Sequence, residues 1–294
     1  MTGRVIKFYN SFFFVDVEGE LLPCKLRGLM KRDKRSGSAV CPGDFVEFSK
    51  LDDGTGVIES VQPRRNMLKR PIVANIDQVI LTFAATSPDL NRFLLNKFLV
   101  LAEWSNIENI IICINKIDLI DESNKFLKEY EDLYKIIRVS AVNGEGIKEL
   151  KEKISNKVTV LTGPSGVGKS SILNSIDSNF KLKIGNVSEK IKRGRHTTRV
   201  SELISFAEGF LVDTPGFSAV DLIEVDLDVE NLAHCFREFT NFIEQCKFTG
   251  CSHSHEPDCA VKKAVEDGKI LKERYTSYIS MLNEINERKK LKYG

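Results

Sequence analysis

The order of three short motifs constrains the fold of this chain more than any other feature. Residues 115–118 read Asn-Lys-Ile-Asp, residues 163–170 read Gly-Pro-Ser-Gly-Val-Gly-Lys-Ser, and residues 213–216 read Asp-Thr-Pro-Gly. These are the parts of one nucleotide site, but ordinarily the glycine-rich motif comes first and Asn-Lys-x-Asp last. The sequence therefore predicts a circular permutation, in which the segment after Gly216 runs directly into a C-terminal domain.

The glycine-rich motif predicts a phosphate loop. Residues 157–162 before it read as a buried strand, and residues 169–176 read as the start of a helix. Glycines allow the backbone N–H groups to surround phosphates at the positive end of that helix. We expect Lys169 to reach the β- and γ-phosphates and the Ser170 hydroxyl to coordinate Mg²⁺. The residues assigned to the nucleotide here are Gly163, Pro164, Ser165, Gly166, Val167, Gly168, Lys169, Ser170 and Ser171.

The Asn-Lys-Ile-Asp motif predicts recognition of guanine. It follows the apolar run 109–114, which suits a strand covered on both faces, and the ends of such strands are where open α/β sheets bind ligands. The Asp118 carboxylate suits the ring N–H and exocyclic amine of guanine, whereas adenine has no amine at that edge. Asn115 would brace the loops, and the stem of Lys116 would lie over the base. The base pocket is assigned to Asn115, Lys116, Asp118, Ser140 and Ala141.

The third motif predicts a nucleotide-sensitive switch. Asp213 ends an apolar strand and would hold Mg²⁺ through water, while the Gly216 N–H would sense the γ-phosphate. Ras-like GTPases carry a water-orienting Gln after this glycine. This chain has Phe217, which cannot hydrogen-bond a water molecule. Hydrolysis is therefore either slow or dependent on another group.

The basic segment 192–199 contains the candidate for that group. His196 lies between the phosphate loop and Asp213, where a first switch is expected, and would position the attacking water. Thr198, or else Thr197, would add a ligand to Mg²⁺. The alternative is a solvated basic loop whose histidine contacts RNA or nothing.

A second cluster of reactive side chains predicts a metal site. Cys246, Cys251, His253 and Cys259 place three thiolates and one imidazole in a short polar stretch, with His255 as the alternative imidazole. This set matches a closed tetrahedral zinc site. Four protein ligands leave no open position for a substrate, so the zinc would be structural.

The predicted fold class is a multidomain chain with three parts. Residues 1–65 read as an all-β barrel of the OB type, because short apolar strands alternate with turn residues. Residues 66–220 read as an α/β circularly permuted P-loop GTPase domain, and residues 221–294 as a mostly α zinc-binding domain with a C-terminal helix. The apolar face of that helix is predicted to comprise Leu271, Tyr275, Tyr278, Leu282 and Ile285.

Basic residues are distributed across all three parts, although the net charge of the 294 residues is only +2. They cluster at residues 27–35, 190–199 and 288–292. Such a distribution suits one large polyanionic partner such as RNA, and aromatic residues near the first cluster could stack on bases. A solvated surface is the alternative interpretation of each cluster taken alone.

The cysteines outside the cluster are scattered, which is typical of thiols in the cytosol. The N-terminus lacks a signal-peptide pattern, and no apolar run approaches the length of a membrane span. We expect a cytoplasmic protein that does not associate with membranes. No oligomerisation signature is visible, so a monomer is the default expectation.

These motifs resemble the RsgA (YjeQ) family of small ribosomal subunit biogenesis GTPases over essentially the whole chain. Residues 62–66, 70–78 and 194–198 add to the resemblance. It implies a bacterial assembly factor that binds the small (30S) subunit late in maturation through its 16S rRNA, hydrolyses GTP there and leaves. It also implies that His196 orients the water. Arg199 departs from the family, which often has a third Thr there, so the choice between Thr197 and Thr198 stays open.

Two other functions remain to be weighed. One is a nucleotide-gated RNA-binding placeholder in which hydrolysis is incidental. The other is an ATP-dependent P-loop kinase, which Asp118 argues against because its carboxylate suits guanine.

Overall fold

The computed structural model describes residues 1–28, 40–69, 71–119, 127–178, 180, 202–212 and 226–293. In this part of the chain a small closed β-barrel is followed by a six-stranded sheet flanked by helices, and then by a group of helices. The predicted fold class, with its all-β, α/β and mostly α parts in that order, is confirmed.

The N-terminal barrel consists of five short strands in the order β1-β2-β3-β5-β4, and β4 pairs back onto β1. Alternate side chains point inward, and Val5, Val15, Val46 and Ile58 are completely or almost completely buried. Closure pairs the edge strands with each other, so that they offer no template for aggregation. The strands are β1 (Thr2–Tyr9), β2 (Phe12–Val17), β3 (Glu20–Leu26), β4 (Phe45–Lys50) and β5 (Gly56–Val61).

A buried ion pair fixes the connection that leaves the barrel. The Asp44 carboxylate, which is fully buried, accepts hydrogen bonds from Arg64 Nε at 2.7 Å, from Arg64 Nη2 at 2.8 Å and from the Cys41 N–H at 2.8 Å. Beyond it, β6 (Met67–Lys69) and β7 (Ile72–Ala74) form a hairpin. The connection at Arg64, between the barrel and the hairpin, is thus held to the barrel by bidentate charge-assisted bonds as well as by the chain itself.

The central sheet has the strand order β10-β9-β8-β11-β13-β12, and its first five strands are parallel. All seven residues of β8 are buried, as expected for a parallel strand covered on both faces. The carboxyl ends of the parallel strands meet at one edge, where ligands bind in such sheets. The strands are β8 (Gln78–Ala84), β9 (Asn109–Asn115), β10 (Lys135–Arg138), β11 (Val158–Thr162), β12 (Leu203–Phe206) and β13 (Gly209–Val212).

Helices cover both faces of this sheet. The first, α1, packs Leu95, Phe98 and Leu99 into the core on one face, while the other face is covered by α3 and α4. The N-terminus of α1 is capped by Asn91, whose Oδ1 accepts a hydrogen bond from the Leu94 N–H at 2.9 Å. The helices are α1 (Arg92–Trp104), α2 (Lys128–Glu131), α3 (Ile147–Ile154) and α4 (Lys169–Ile176).

The C-terminal part is built around one long helix, α8. Tyr278, Leu282 and Ile285 are buried and Tyr275 is half-buried, so four positions of the predicted apolar face are confirmed, whereas the fifth, Leu271, is half-buried and precedes the helix. Val100 and Leu101 of α1 belong to the same hydrophobic cluster, which therefore joins this part to the central sheet. The helices are α5 (Val229–Leu232), α6 (Thr240–Ile243), α7 (Ala260–Glu266) and α8 (Lys272–Tyr293). Among the described residues, no helix has the length and apolar character needed to cross a membrane.

Candidate functional site

The phosphate loop occupies the predicted position between the end of β11 at Thr162 and the start of α4 at Lys169. Two of its glycines are required by close approaches of other groups. Gly163 has φ +148°, and a Cβ there would overlap the Thr82 carbonyl oxygen; Gly168 has φ +91°, and a Cβ there would overlap Asn115 Nδ2. The loop is therefore packed directly against β8 and against the residue that ends β9.

Lys169 is the lysine of the predicted phosphate-loop motif. Its side chain folds back onto the loop itself. Its Nζ donates to the carbonyl oxygens of Gly163 at 2.7 Å and Pro164 at 2.6 Å. Burial lowers the pKa of Lys169 from its ordinary value. Ser170 and Ser171 follow in the first turn of α4, and both are exposed. The ammonium and the Ser170 hydroxyl thus lie on the same loop, as phosphate and Mg²⁺ binding would require.

Asn115 joins the phosphate loop to the predicted base pocket. Its side chain is 2% exposed, and its Nδ2 donates to the Val167 carbonyl oxygen at 2.9 Å. Its Oδ1 accepts from the Ala141 N–H at 3.2 Å. The predicted brace between the loops is therefore present as one buried and one partly buried hydrogen bond.

Asp118 and Ser140 lie together on the other side of this brace. The Ser140 hydroxyl donates to Asp118 Oδ1 at 2.5 Å, and Ser140 is fully buried. The N–H groups of Val142 and Asn143 in turn donate to Ser140 Oγ, each at 3.3 Å. Through this hydrogen bond, the buried Ser140 orients the exposed Asp118 carboxylate at the edge of the sheet where the base is expected.

Sequence reasoning missed the segment 85–91, which follows β8. Lys116 Nζ donates to the Ser87 carbonyl oxygen as well as to the Gly166 carbonyl oxygen, the latter at 2.9 Å. The segment carries no recognisable motif. A signal was nevertheless present, because residues 79–84 form a mainly apolar run, broken only by Thr82, that predicts a buried parallel strand with its carboxyl end at the same edge of the sheet as the phosphate loop.

Several predicted residues lie outside the described part of the chain: Thr197, Phe217 and the site residues His196, Thr198, Asp213 and Gly216. The structure does place the end of β13. Val212 pairs with Val160 of β11, so the chain leaves the sheet towards Asp213 at the same edge as the phosphate loop.

The four predicted metal ligands converge. The donor atoms of Cys246, Cys251, His253 and Cys259 all lie within 4.8 Å of one another, and His255 is not part of this group. Cys246 Sγ is 3.5 Å from His253 Nδ1 and 3.9 Å from Cys259 Sγ, and His253 Nδ1 is 3.4 Å from Cys259 Sγ. Zn–S and Zn–N bonds in tetrahedral sites correspond to edges of about 3.8 Å between sulfurs and about 3.6 Å between sulfur and nitrogen. The donor set and its spacing therefore fit a zinc ion.

The loop that carries these ligands is held by hydrogen bonds from its surroundings. The hydroxyl of Tyr275 donates to the His253 carbonyl oxygen at 2.8 Å, and that of Tyr278 donates to the Ser252 carbonyl oxygen at 2.7 Å. Burial alone would raise the pKa of Glu256, but hydrogen bonds from Ser252 and Ser254 hold that pKa at about 2. Burial raises the pKa of Cys251 to about 12. A bound cation would counter that shift by favouring the thiolates.

The fold and the loops define a class of protein. A phosphate loop after β11, preceded in the chain by an Asn-Lys-Ile-Asp motif after the parallel strand β9, with only β8 between these two strands, is the arrangement of a circularly permuted GTPase. Comparison with known families agrees: residues 61–223 match the RsgA GTPase family, and residues 2–58 match the RsgA N-terminal domain. The chain belongs to the RsgA GTPase family, and the resemblance seen in its motifs is confirmed.

Individual relatives match over their full length. The chain is 47% identical to the small ribosomal subunit biogenesis GTPase RsgA of Clostridium botulinum (strain Eklund 17B / Type B), with all of both chains covered. It is 42% identical to the protein of the same name from Caldanaerobacter subterraneus subsp. tengcongensis, over 99% of this chain and 98% of that one.

Solved structures support the same assignment. YjeQ from Thermotoga maritima matches with a TM-score of 0.82 and 39% identity, covering 97% of this chain and 98% of that one. YloQ, described as a circularly permuted GTPase, matches with a TM-score of 0.79 and 34% identity, covering 98% of this chain and 95% of that one.

The contact between Gly168 and Asn115 gives a direct test of the loop brace. Gly168→Ala would force a Cβ into the Asn115 amide and break its bond to the Val167 carbonyl, so we expect affinity for guanine nucleotides to fall by at least about tenfold. Titration with a fluorescent GDP analogue measures this. Gly144→Ala is the matched control, because Gly144 also has a positive φ, +85°, but a Cβ there meets nothing within 4 Å. Equal affinities for the two variants would contradict the prediction.

Proposed function

We propose that this protein hydrolyses GTP in a Mg²⁺-dependent reaction during late maturation of the small ribosomal subunit, and that binding to the subunit and its 16S rRNA stimulates turnover. The observation that carries the nucleotide part is the Asn115 brace, which assembles the base-reading and phosphate-binding loops into one site. The ribosomal part rests on the names of the relatives with which the chain shares 42–47% identity.

In this proposal Lys169 and the loop backbone bind the phosphates. The Lys169 ammonium leaves the carbonyl oxygens of Gly163 and Pro164 for the β- and γ-phosphates, which are stronger acceptors because they are charged. The N–H groups at the start of α4 face the same phosphates. Asp118, held by Ser140, accepts from guanine, and Lys116 covers the base.

Magnesium is expected on the hydroxyls of Ser170 and Thr198, with Asp213 acting through water. The exposed Ser170 hydroxyl, in the first turn of α4, is the hard oxygen donor that this ion prefers. When bound, Mg²⁺ neutralises charge that develops on the phosphate oxygens. His196 positions the water that attacks the γ-phosphate, since Phe217 cannot.

The partner is tested by GTP turnover with excess small subunits, with large subunits and with neither. We expect strong activation by small subunits alone, because Phe217 after Gly216 cannot hydrogen-bond a water molecule and RNA or protein of the subunit would complete the site. Equal, slow turnover in all three mixtures would leave the nucleotide site standing and overturn the assignment to the small subunit.

Replacement of the proposed water-positioning residue separates hydrolysis from binding. We expect His196→Ala to lower subunit-stimulated kcat by about 100-fold or more while GTP affinity changes little, because the imidazole acts only as bonds to water change. His234→Ala, an exposed histidine in the C-terminal part, is the matched control and keeps full turnover. Unchanged turnover in His196→Ala would remove this assignment. A His196→Ala variant that no longer hydrolyses GTP but still supports subunit maturation would instead favour the nucleotide-gated placeholder.

The cysteine cluster is proposed to hold one structural Zn²⁺ through Cys246, Cys251, His253 and Cys259. All four ligands come from the protein, and the ion would join the loop before α7 to the rest of the C-terminal part. Metal binding of this kind contributes folding free energy, because the unfolded chain has no preformed site.

Zinc content tests the cluster. We expect metal analysis to find about one zinc per chain in the purified protein and close to none in Cys246→Ser, with a lower midpoint of thermal unfolding. Cys235→Ala is the matched control, because Cys235 is a buried thiol of the same part of the chain that lies outside the cluster. Full zinc content in Cys246→Ser would exclude Cys246 as a ligand.

RNA binding is proposed for the outer face of the barrel. Lys7, Tyr9, Phe12, Phe14 and Lys25 form a contiguous surface on β1, β2 and β3, here called the barrel patch, because Lys7 pairs with Phe14 and Tyr9 pairs with Phe12. Lys25 Nζ lies 4.8 Å from the centre of the Phe12 ring. Aromatic faces beside ammonium groups suit stacked bases and their phosphates. Among the basic residues of the cluster 27–35, Arg27 is the one that belongs to the described residues, and it pairs with Glu59.

The barrel patch is tested by RNA affinity. We expect the double variant Phe12→Ala, Lys25→Ala to bind 16S rRNA about tenfold more weakly, since one stacked base and one phosphate contact are lost, and the salt dependence to become shallower. Leu51→Ala is the control, because Leu51 is an exposed apolar residue of the same barrel, outside the patch. Unchanged affinity in the double variant would exclude the barrel patch as the RNA site.

We further propose that the chain works as a cytoplasmic monomer with three units, residues 1–65, 66–220 and 221–294. Matches of separate family descriptions to residues 2–58 and 61–223 support a division near residue 60.

A further inference from the structure

The segment 85–91, between β8 and α1, lies against both halves of the nucleotide site. Lys116 Nζ donates to the Ser87 carbonyl oxygen and, at 2.9 Å, to the Gly166 carbonyl oxygen of the phosphate loop. The Ala85 N–H donates to the Asn115 carbonyl oxygen at 2.8 Å. The position of this segment therefore decides how the base-reading residues lie against the phosphate loop.

The segment is continuous with α1, which begins at Arg92 after the capping residue Asn91. Four residues into α1, the side chain of Asn96 is fully buried and makes three hydrogen bonds. Its Oδ1 accepts from Arg274 Nη1 at 2.8 Å and from the Tyr130 hydroxyl at 3.0 Å. Its Nδ2 donates to Ser277 Oγ at 2.8 Å.

Two of these partners, Arg274 and Ser277, belong to α8, so Asn96 attaches the C-terminal part to α1. Arg274 is 1% exposed and is itself held by Glu238, at 2.6 Å and 3.0 Å. We refer to Asn96, Tyr130, Glu238, Arg274 and Ser277 as the Asn96 network. A partial shift of α8 along α1 would leave buried polar groups of this network without hydrogen-bond partners, which is costly. The network therefore favours one position of α8 against α1.

We propose that Asn96 is a positioning residue for nucleotide retention: through the Asn96 network, α8 holds α1 and segment 85–91 in place, and thereby holds Lys116 against the phosphate loop. This inference rests on the proposed binding of guanine nucleotides. It gives the C-terminal part an influence on nucleotide release that does not pass through residues 213–225. A partner that engages α8 would change the lifetime of bound GDP.

The rate of release of a fluorescent GDP analogue from the full-length, zinc-loaded protein tests the proposal. We expect Asn96→Ala to release it about tenfold faster, within the range typical of coupled sites, and to raise KM for GTP while kcat at saturation stays the same. Asn96→Asp should restore slow release, because a carboxylate still accepts from Arg274 and Tyr130.

Tyr278→Phe is the control for general loosening of α8. It removes a hydrogen bond from the same helix to the Ser252 carbonyl oxygen without touching α1. The inference would be overturned if Asn96→Ala released the GDP analogue no faster than Tyr278→Phe does. Failure of the unaltered protein to bind the GDP analogue at all would instead overturn the proposed function.

A measurement on the unaltered protein covers the case in which Asn96→Ala does not fold. Coupling between two sites is reciprocal, so GDP should slow amide hydrogen exchange in the first turns of α8 more than in β2 of the barrel. Equal effects of GDP on α8 and β2 would count against the Asn96 network as the connection.

Discussion

The nucleotide site depends on one buried side chain, that of Asn115. Its amide donates to the phosphate loop at Val167 and accepts from the base loop at Ala141, residues separated from it by 52 and 26 positions along the chain. Neither loop has regular structure that would fix it alone. Because an unpaired buried amide is costly, the three segments adopt their positions together or not at all. The same contact explains why residue 168 is a glycine, since a Cβ there would overlap the Asn115 amide.

This contact also explains why the permuted order is compatible with the site. Hydrogen bonds between strand ends depend on strand order in the sheet, β10-β9-β8-β11-β13-β12, and not on the order of strands in the chain. What permutation changes is where the chain enters and leaves. It enters the sheet at Gln78, on the amino edge near the barrel, and leaves β13 at Val212, on the carboxyl edge beside the phosphate loop. In the sequence, the predicted switch motif that begins at Asp213 therefore stands between β13 and the C-terminal part.

Much of the site could be predicted because its chemistry is local. Lys169 follows a strand and starts a helix, and the cysteine cluster occupies a short stretch, so periodicity and spacing were sufficient for both. Segment 85–91 was not predictable in this way, because it contributes backbone carbonyls, which any residue supplies. The Asn96 network was also missed. Arg274 lies 36 residues from Glu238 and 178 from Asn96, and an arginine in a helix rich in Lys and Glu reads as a surface residue until the fold buries it.

The burial of Arg274 has a consequence for how the C-terminal part can move. Burial alone would lower the pKa of its guanidinium, but the Glu238 carboxylate raises it, so the charge persists. A buried ion pair adds little stability compared with apolar residues of the same size, whereas removing one partner costs about 3–5 kcal/mol. The pair therefore acts chiefly to fix α8 in one register against α1. The same helix reaches the metal loop through the hydroxyls of Tyr275 and Tyr278. The metal loop, α8, α1 and segment 85–91 thus form a continuous set of packed elements that ends at Lys116, and within that set the Asn96 network is the polar connection between α8 and α1.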